Sequence, residues 1–173
     1  MLSSQVSEAV TYDEVGATRG EMPNGYRHDR HVAVLGQGRG VFERAADGVR
    51  RWEAHRGAGM TLRPDVPELR EGATMVQALT LPLVSAVAAC RIVYLVDEAN
   101  AFGFAYGTLP AHPEQGEEAF TVHRDAEGVV TFVIAAFSRP HHSLARIGGP
   151  LTRRIQLHTT QRYLDALKAF VTA

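Results

Sequence analysis

The spacing of hydrophobic positions changes several times along this chain, and each change marks an element. From Tyr26 to Leu35 the pattern reads as a strand, introduced by Pro23, Asn24 and Gly25 and closed by Gly36, Gly38 and Gly40. From Val41 to Arg56, Phe42, Ala45, Val49 and Trp52 fall at helical spacing, which predicts one helix with Gly57 as its left-handed stop. Met60–Val66, Thr74–Leu81 and Ala88–Val96 read as strands, the last with a β-branched and aromatic centre. Phe102, Phe104 and Tyr106 alternate with small residues, so a further strand carries its large side chains on one face. Ala119–Arg124 and Val129–Phe137 form a predicted hairpin around Asp125, Ala126, Glu127 and Gly128. After Gly148 and Gly149, Pro150 opens a last helix with Leu151, Ile155, Tyr163, Leu167 and Phe170 along one stripe.

Strand, helix, then a run of strands and a long C-terminal helix make an α+β layer arrangement in one domain, residues 1–173, with the first ten residues expected to be poorly ordered. Hairpin-length connections imply an antiparallel, curved sheet of about six to seven strands. A last helix of about 22 residues is about 33 Å long and can lie across such a sheet, leaving a cavity between them. This topology resembles the helix-grip fold of START-like and birch-pollen-allergen-like proteins. Such scaffolds hold carriers, receptors, cyclases and hydrolytic enzymes, so the topology alone does not select a function.

Composition narrows the field. With 173 residues, 45% of them hydrophobic, the chain is long enough for one sizeable core. Lys and Arg number 18 against 19 Asp and Glu, with no basic block, which argues against a nucleic-acid partner. Cys90 is the only cysteine, which excludes an intramolecular disulfide and a Cys-based zinc site, so any metal would need His and carboxylate ligands; no metal or cofactor is expected. The start MLSSQVSEAV lacks a secretory pattern, leaving the cytoplasm as the default. The uncharged run Gly72–Cys90 contains Pro82 and Gln77 and suits two strands better than a membrane span. GQGRG at 36–40 lacks the spacing of a phosphate loop, and no Ser or Cys stands in a nucleophile's context.

The densest polar group is His112, Glu114, Glu117 and Glu118, in a loop after YGTLP. Its ordinary role is structural, with Glu117 or Glu118 paired to Arg139, Arg27 or Arg30; the alternative is proton transfer by Glu117 or Glu118 with His112 or Tyr106. His28 and His31 point to opposite faces of their strand, where polar side chains on an edge ordinarily meet solvent; His141 and His142 fall in a loop. Phe102, Phe104, Tyr106, Phe120, Phe132 and Phe137, with His158, Arg162 and Tyr163 on the last helix, are candidate lining for a ligand cavity. Core packing explains the same aromatics. Arg153 and Arg154 are expected on the wet side of that helix.

Longer motifs carry a closer resemblance: YDEVGAT at 12–18, GYRHDRH at 25–31, FGFAYGTLPAHPEQGEEAF at 102–120, AFSRP at 136–140 and the GGP that opens the last helix. With these the chain is similar to the family labelled domain of unknown function nineteen-ninety. In place of an aromatic-containing loop before CRIVYLVDE it carries LPLVSAVAA. The resemblance implies one domain and no established reaction. The expectation is therefore a binder of a small apolar or amphipathic molecule, with a proton-transfer enzyme or a pocketless interaction module as alternatives; oligomeric state stays open.

Overall fold

The computed structural model describes residues 2–80, 85–141 and 149–173, so expectations attached to Leu81, Pro82, His142 and Gly148 lie outside it. In chain order the elements are α1 (Leu2–Gln5), a 3-10 turn (Ala17–Arg19), β1 (Arg27–Gln37), α2 (Arg39–Arg50), α3 (Glu53–Gly57), β2 (Met60–Pro64), β3 (Thr74–Thr80), β4 (Ser85–Glu98), β5 (Ala101–Thr108), β6 (Glu114–Arg124), β7 (Val129–Pro140) and α4 (Gly149–Thr172). The strands form one antiparallel sheet in the order β1-β7-β6-β5-β4-β3-β2. Consecutive strands pair through short connections except β1 and β2, which stand at opposite edges. Helices α2 and α3 bridge those edges and share the concave side with α4: Gly48 and Gly57 lie against Leu167 and Ala166, and the Arg44 guanidinium donates to the Val171 carbonyl at 2.8 Å. The expected α+β helix-grip architecture is what the chain adopts.

Phe104, Phe120, Phe132 and Ile134, all with at most 1% exposure, fill the space under α2, α3 and Leu167. The expected single helix over 41–56 is instead two. Trp52 takes a left-handed backbone conformation at φ 62, unusual for a bulky residue, and its indole lands 4.4 Å from the Phe104 ring. The break turns α3 toward α4. The left-handed stop belongs to Gly59, at φ 86, rather than to Gly57.

The Arg91 guanidinium donates to the Gln5, Val6 and Glu8 carbonyls, and Gln5 Oε1 accepts the Ala111 N–H at 3.1 Å. One further expectation changes. Strand β6 begins at Glu114, five residues before the apolar pattern announces it, so Glu114, Glu117 and Glu118 belong to a strand and only Leu109–Pro113 to the loop. Their polar run hid the period, because the pairing from Glu114–Pro140 onward is made by backbone.

Gly57 serves close approach. A Cβ added there would stand 2.6 Å from Ala166 Cβ. In an open helix Gly→Ala would stabilise, by roughly 0.5–1 kcal/mol; here Gly57→Ala is expected to destabilise by about 1–3 kcal/mol, because α3 and α4 must separate. A rise in melting temperature for this variant would contradict the packing described.

Candidate functional site

Register decides which polar side chains meet. Tyr106 on β5, Glu118 on β6, Ala136 on β7 and Asp29 on β1 are successive partners across the sheet and share its concave face. The next rung, Gly107, Glu117, Phe137 and His28, faces the other way. Adjacent glutamates therefore enter different environments.

Glu117 is 2% exposed beneath the N-terminal segment that precedes β1. Its Oε2 accepts the Tyr12 hydroxyl and the Gly16 N–H, both at 2.7 Å, while Oε1 accepts the Thr18 N–H at 3.0 Å and the Thr18 hydroxyl. The carboxylate is filled by donors of that segment. The arginine partnership expected for it is not what forms. Arg139 donates to Gln115 Oε1 at 2.7 Å and lies over the Tyr26 ring, Arg27 turns to Asp29 and Glu114, and Arg30 faces the convex side with His123.

On the concave face a cavity of about 400 Å³ separates the sheet from α4. Apolar wall comes from Met60, Leu79, Ala88, Ile134 and Ile155. At its inner end Tyr106 donates to Glu118 Oε2 at 2.6 Å, beside Gln77 and the buried Tyr163. Burial raises the Glu118 carboxyl to about 7, against a smaller lowering by the Tyr106 hydrogen bond, and Asp29 adds to the rise. Burial also pushes the Tyr106 and Tyr163 hydroxyls upward, so both keep their protons.

At the other end Arg153 grips Asp29 through two hydrogen bonds, 2.7 and 2.5 Å, and Arg27 Nε adds a third at 3.2 Å. Burial works to raise the Asp29 carboxyl, but these bonds outweigh it and hold it below its ordinary value. Arg27 also reaches Ser138 at 2.9 Å and Gln156 at 2.8 Å, tying β1, β7 and α4 together. His112 borders the cavity, and its Nδ1 accepts the Glu114 N–H at 3.0 Å; burial lowers its pKa to about 4, which keeps the ring neutral.

Of the aromatics expected to line a cavity, Tyr106, Tyr163 and Phe137 border it, although the Phe137 ring meets Tyr12 and Tyr26 edge-on. Phe102, Phe104, Phe120 and Phe132 are packed in the core and are not among its lining residues. His158 is exposed, and Arg162 is half-buried against Gly59. Arg153, expected on the wet side, points inward, whereas Arg154 is exposed. His31, expected to meet solvent, faces the cavity together with Asp29; His28 bonds the Pro23 carbonyl at 2.8 Å. Sequence reasoning missed Gln77 and His55. Neither belongs to a motif, and His55 lies at 1% exposure among Trp52, Phe120 and Tyr163, with burial lowering its pKa to about 3.

A family model described as a domain of unknown function, DUF1990, matches residues 11–166. The chain belongs to the DUF1990 family. Among relatives, this DUF1990 chain is 34% identical to a UPF0548 protein of Deinococcus radiodurans over 174 aligned positions, 92% of this chain and 86% of that one. A hypothetical protein, jhp0584 of Helicobacter pylori, superposes with a TM-score of 0.63 at 12% identity, over 94% and 96% of the two chains. Ara h 8.0201 superposes with a TM-score of 0.57 at 9% identity, over 86% and 99%. These structural likenesses carry the helix-grip fold. Among the described residues, no helix is long and apolar enough to cross a membrane.

The two glutamates should respond oppositely to amide substitution. Glu117→Gln places an NH2 among donors and is expected to cost about 2 kcal/mol or more of stability. Glu118→Gln is expected to leave stability near pH 5 almost intact. The folded state raises the Glu118 carboxyl from 4.5 to about 7 and so binds that proton more tightly than the unfolded chain. Its contribution is complete below the unfolded value and is lost as pH rises through the folded one. The melting temperature of Glu118→Gln, relative to the parent at the same pH, should therefore climb across that window; a pH-independent difference would contradict the burial described.

Proposed function

We propose that this DUF1990 protein binds a small amphipathic molecule in the cavity between the sheet and α4, in the compartment where the chain is made, the cytoplasm. The observation that carries this reading is the cavity itself, about 400 Å³ and lined by both apolar and polar side chains. A volume of that order suits a ligand of modest size held largely out of water. Tyr106, Tyr163, Ile155 and Leu79 would contact its apolar body. Arg27, Asp29 and Arg153 would brace the opening end, since their mutual bonds already satisfy most of their donors and acceptors.

A proton-transfer enzyme on the same cavity is the second reading, favoured by the Glu118–Tyr106 pair and the value near 7 of its carboxyl. It narrows to those two residues, because Glu117 spends its oxygens on Tyr12, Gly16 and Thr18. Turnover, not affinity, separates the two. A pocketless interaction module is disfavoured by the cavity.

Native mass spectrometry of freshly purified protein is expected to show a bound small molecule, or the empty protein is expected to take up a naphthalene-based fluorescent probe. Ala136→Phe, which puts a ring into the cavity beside Glu118, should weaken probe binding by about tenfold or more while the fold persists. Unchanged binding in that variant would place the probe elsewhere and count against the cavity.

A further inference from the structure

Hydrogen-bond capacity at the inner end of the cavity is lopsided. Tyr106 spends its proton on Glu118 Oε2, so toward Gln77 it can only accept, and Gln77 Nε2 stands 3.5 Å from its hydroxyl and 3.7 Å from Cys90 Sγ. That orients the Gln77 amide with Oε1 turned away from Tyr106. This oxygen accepts no hydrogen bond, although Gln77 is 6% exposed and lines the cavity. Glu114, also 6% exposed, leaves Oε2 without a hydrogen bond, with Arg27 Nη2 at 3.8 Å. A buried acceptor without a donor is costly to leave unpaired, so the arrangement is suited to an occupant that supplies protons.

Charge points the same way. The groups around Glu118 are Tyr106 on β5, Cys90 on β4, Asp29 on β1 and Tyr163 on α4, none of them a cation. Arg27 and Arg153 face the same cavity but are engaged with Asp29. His31 on β1 also faces it, and His112 is kept neutral. Among the described residues, no salt bridge reaches Glu118. We infer that the cavity takes an amphiphile bearing a primary ammonium group, held between Glu118 and Gln77 Oε1 with its apolar body toward Leu79, Met60 and Ile155. An ammonium brings three donors, no acceptor and the missing positive charge. A hydroxyl brings one donor and no charge, and a carboxylate would face Asp29, Glu114 and Glu118 with both guanidiniums already engaged. The inference rests on the cavity reading proposed above and adds the chemistry of the head group.

Three probes of one shape test it by isothermal calorimetry on the whole chain: naphthylethylamine, naphthylethanol and naphthylacetate. The amine is expected to bind about tenfold or more tighter than the carboxylate, and tighter than the alcohol. Its affinity should rise with pH between about 5.5 and 8.5, where the alkylammonium stays protonated while Glu118 ionises. Glu118→Gln should bring the amine down to the alcohol's affinity and flatten that rise; Gln77→Leu, which leaves the carboxylate in place, should weaken the amine by a smaller factor. Equal binding of all three probes, or a preference for the carboxylate, overturns the ammonium inference and leaves the cavity reading standing. A pH rise that survives in Glu118→Gln overturns it too. Binding of none of the probes overturns both.

Discussion

Two consecutive glutamates on β6 cannot face the same side of the sheet, and most of what distinguishes this molecule follows from how each side answers. On the convex side Glu117 gathers donors from Tyr12, Gly16 and Thr18, which clamps the N-terminal segment over β5 and β6. On β5 the alternate residues Ala101, Gly103, Ala105 and Gly107 are small, and Gly107 lies directly under Tyr12. The cavity bordered by the other glutamate lies on the concave face. There Glu118 meets a tyrosine hydroxyl and no cation.

The concave side is divided by its helices. Where α2 and α3 lie, Phe102, Phe104, Phe120 and Phe132 fill the volume, and the kink at Trp52 lets an indole close over Phe104. Beyond them α4 alone covers the sheet. Asp29, Arg27 and Arg153 tie it to β1 by charge-assisted bonds at the point where apolar contact gives out.

The period-two runs in Phe102–Tyr106 and Val129–Phe137 and the Asp125–Gly128 turn were legible in the sequence, because each is a local signal; so was the stripe of the last helix. The start of β6 was not, since its strand character lies in backbone pairing with β7 and its side chains are polar for a reason that sits far away in Tyr12 and Thr18. The break before Trp52 was hidden for the same reason: the helical spacing continues through it, and only Phe104 explains the turn. Candidate chemistry was half legible. Spacing and burial rules single out Tyr106, Glu117, Glu118 and Tyr163, yet which glutamate faces the cavity depends on a register that the sequence does not spell out. Gln77 and Arg153 carry no motif, and Asp29 sits in GYRHDRH without a spacing that reveals its partner; their importance comes from capacity counted in three dimensions.

The central claim is that Glu118 is a cavity carboxyl without a cationic partner. Carbon-13 NMR titration of the glutamate side-chain carboxyls, assigned with Glu118→Gln, observes it directly. The account predicts a midpoint near 7 in the free protein, moving down when naphthylethylamine is added. A midpoint in the ordinary glutamate range, about 4.3, would contradict it.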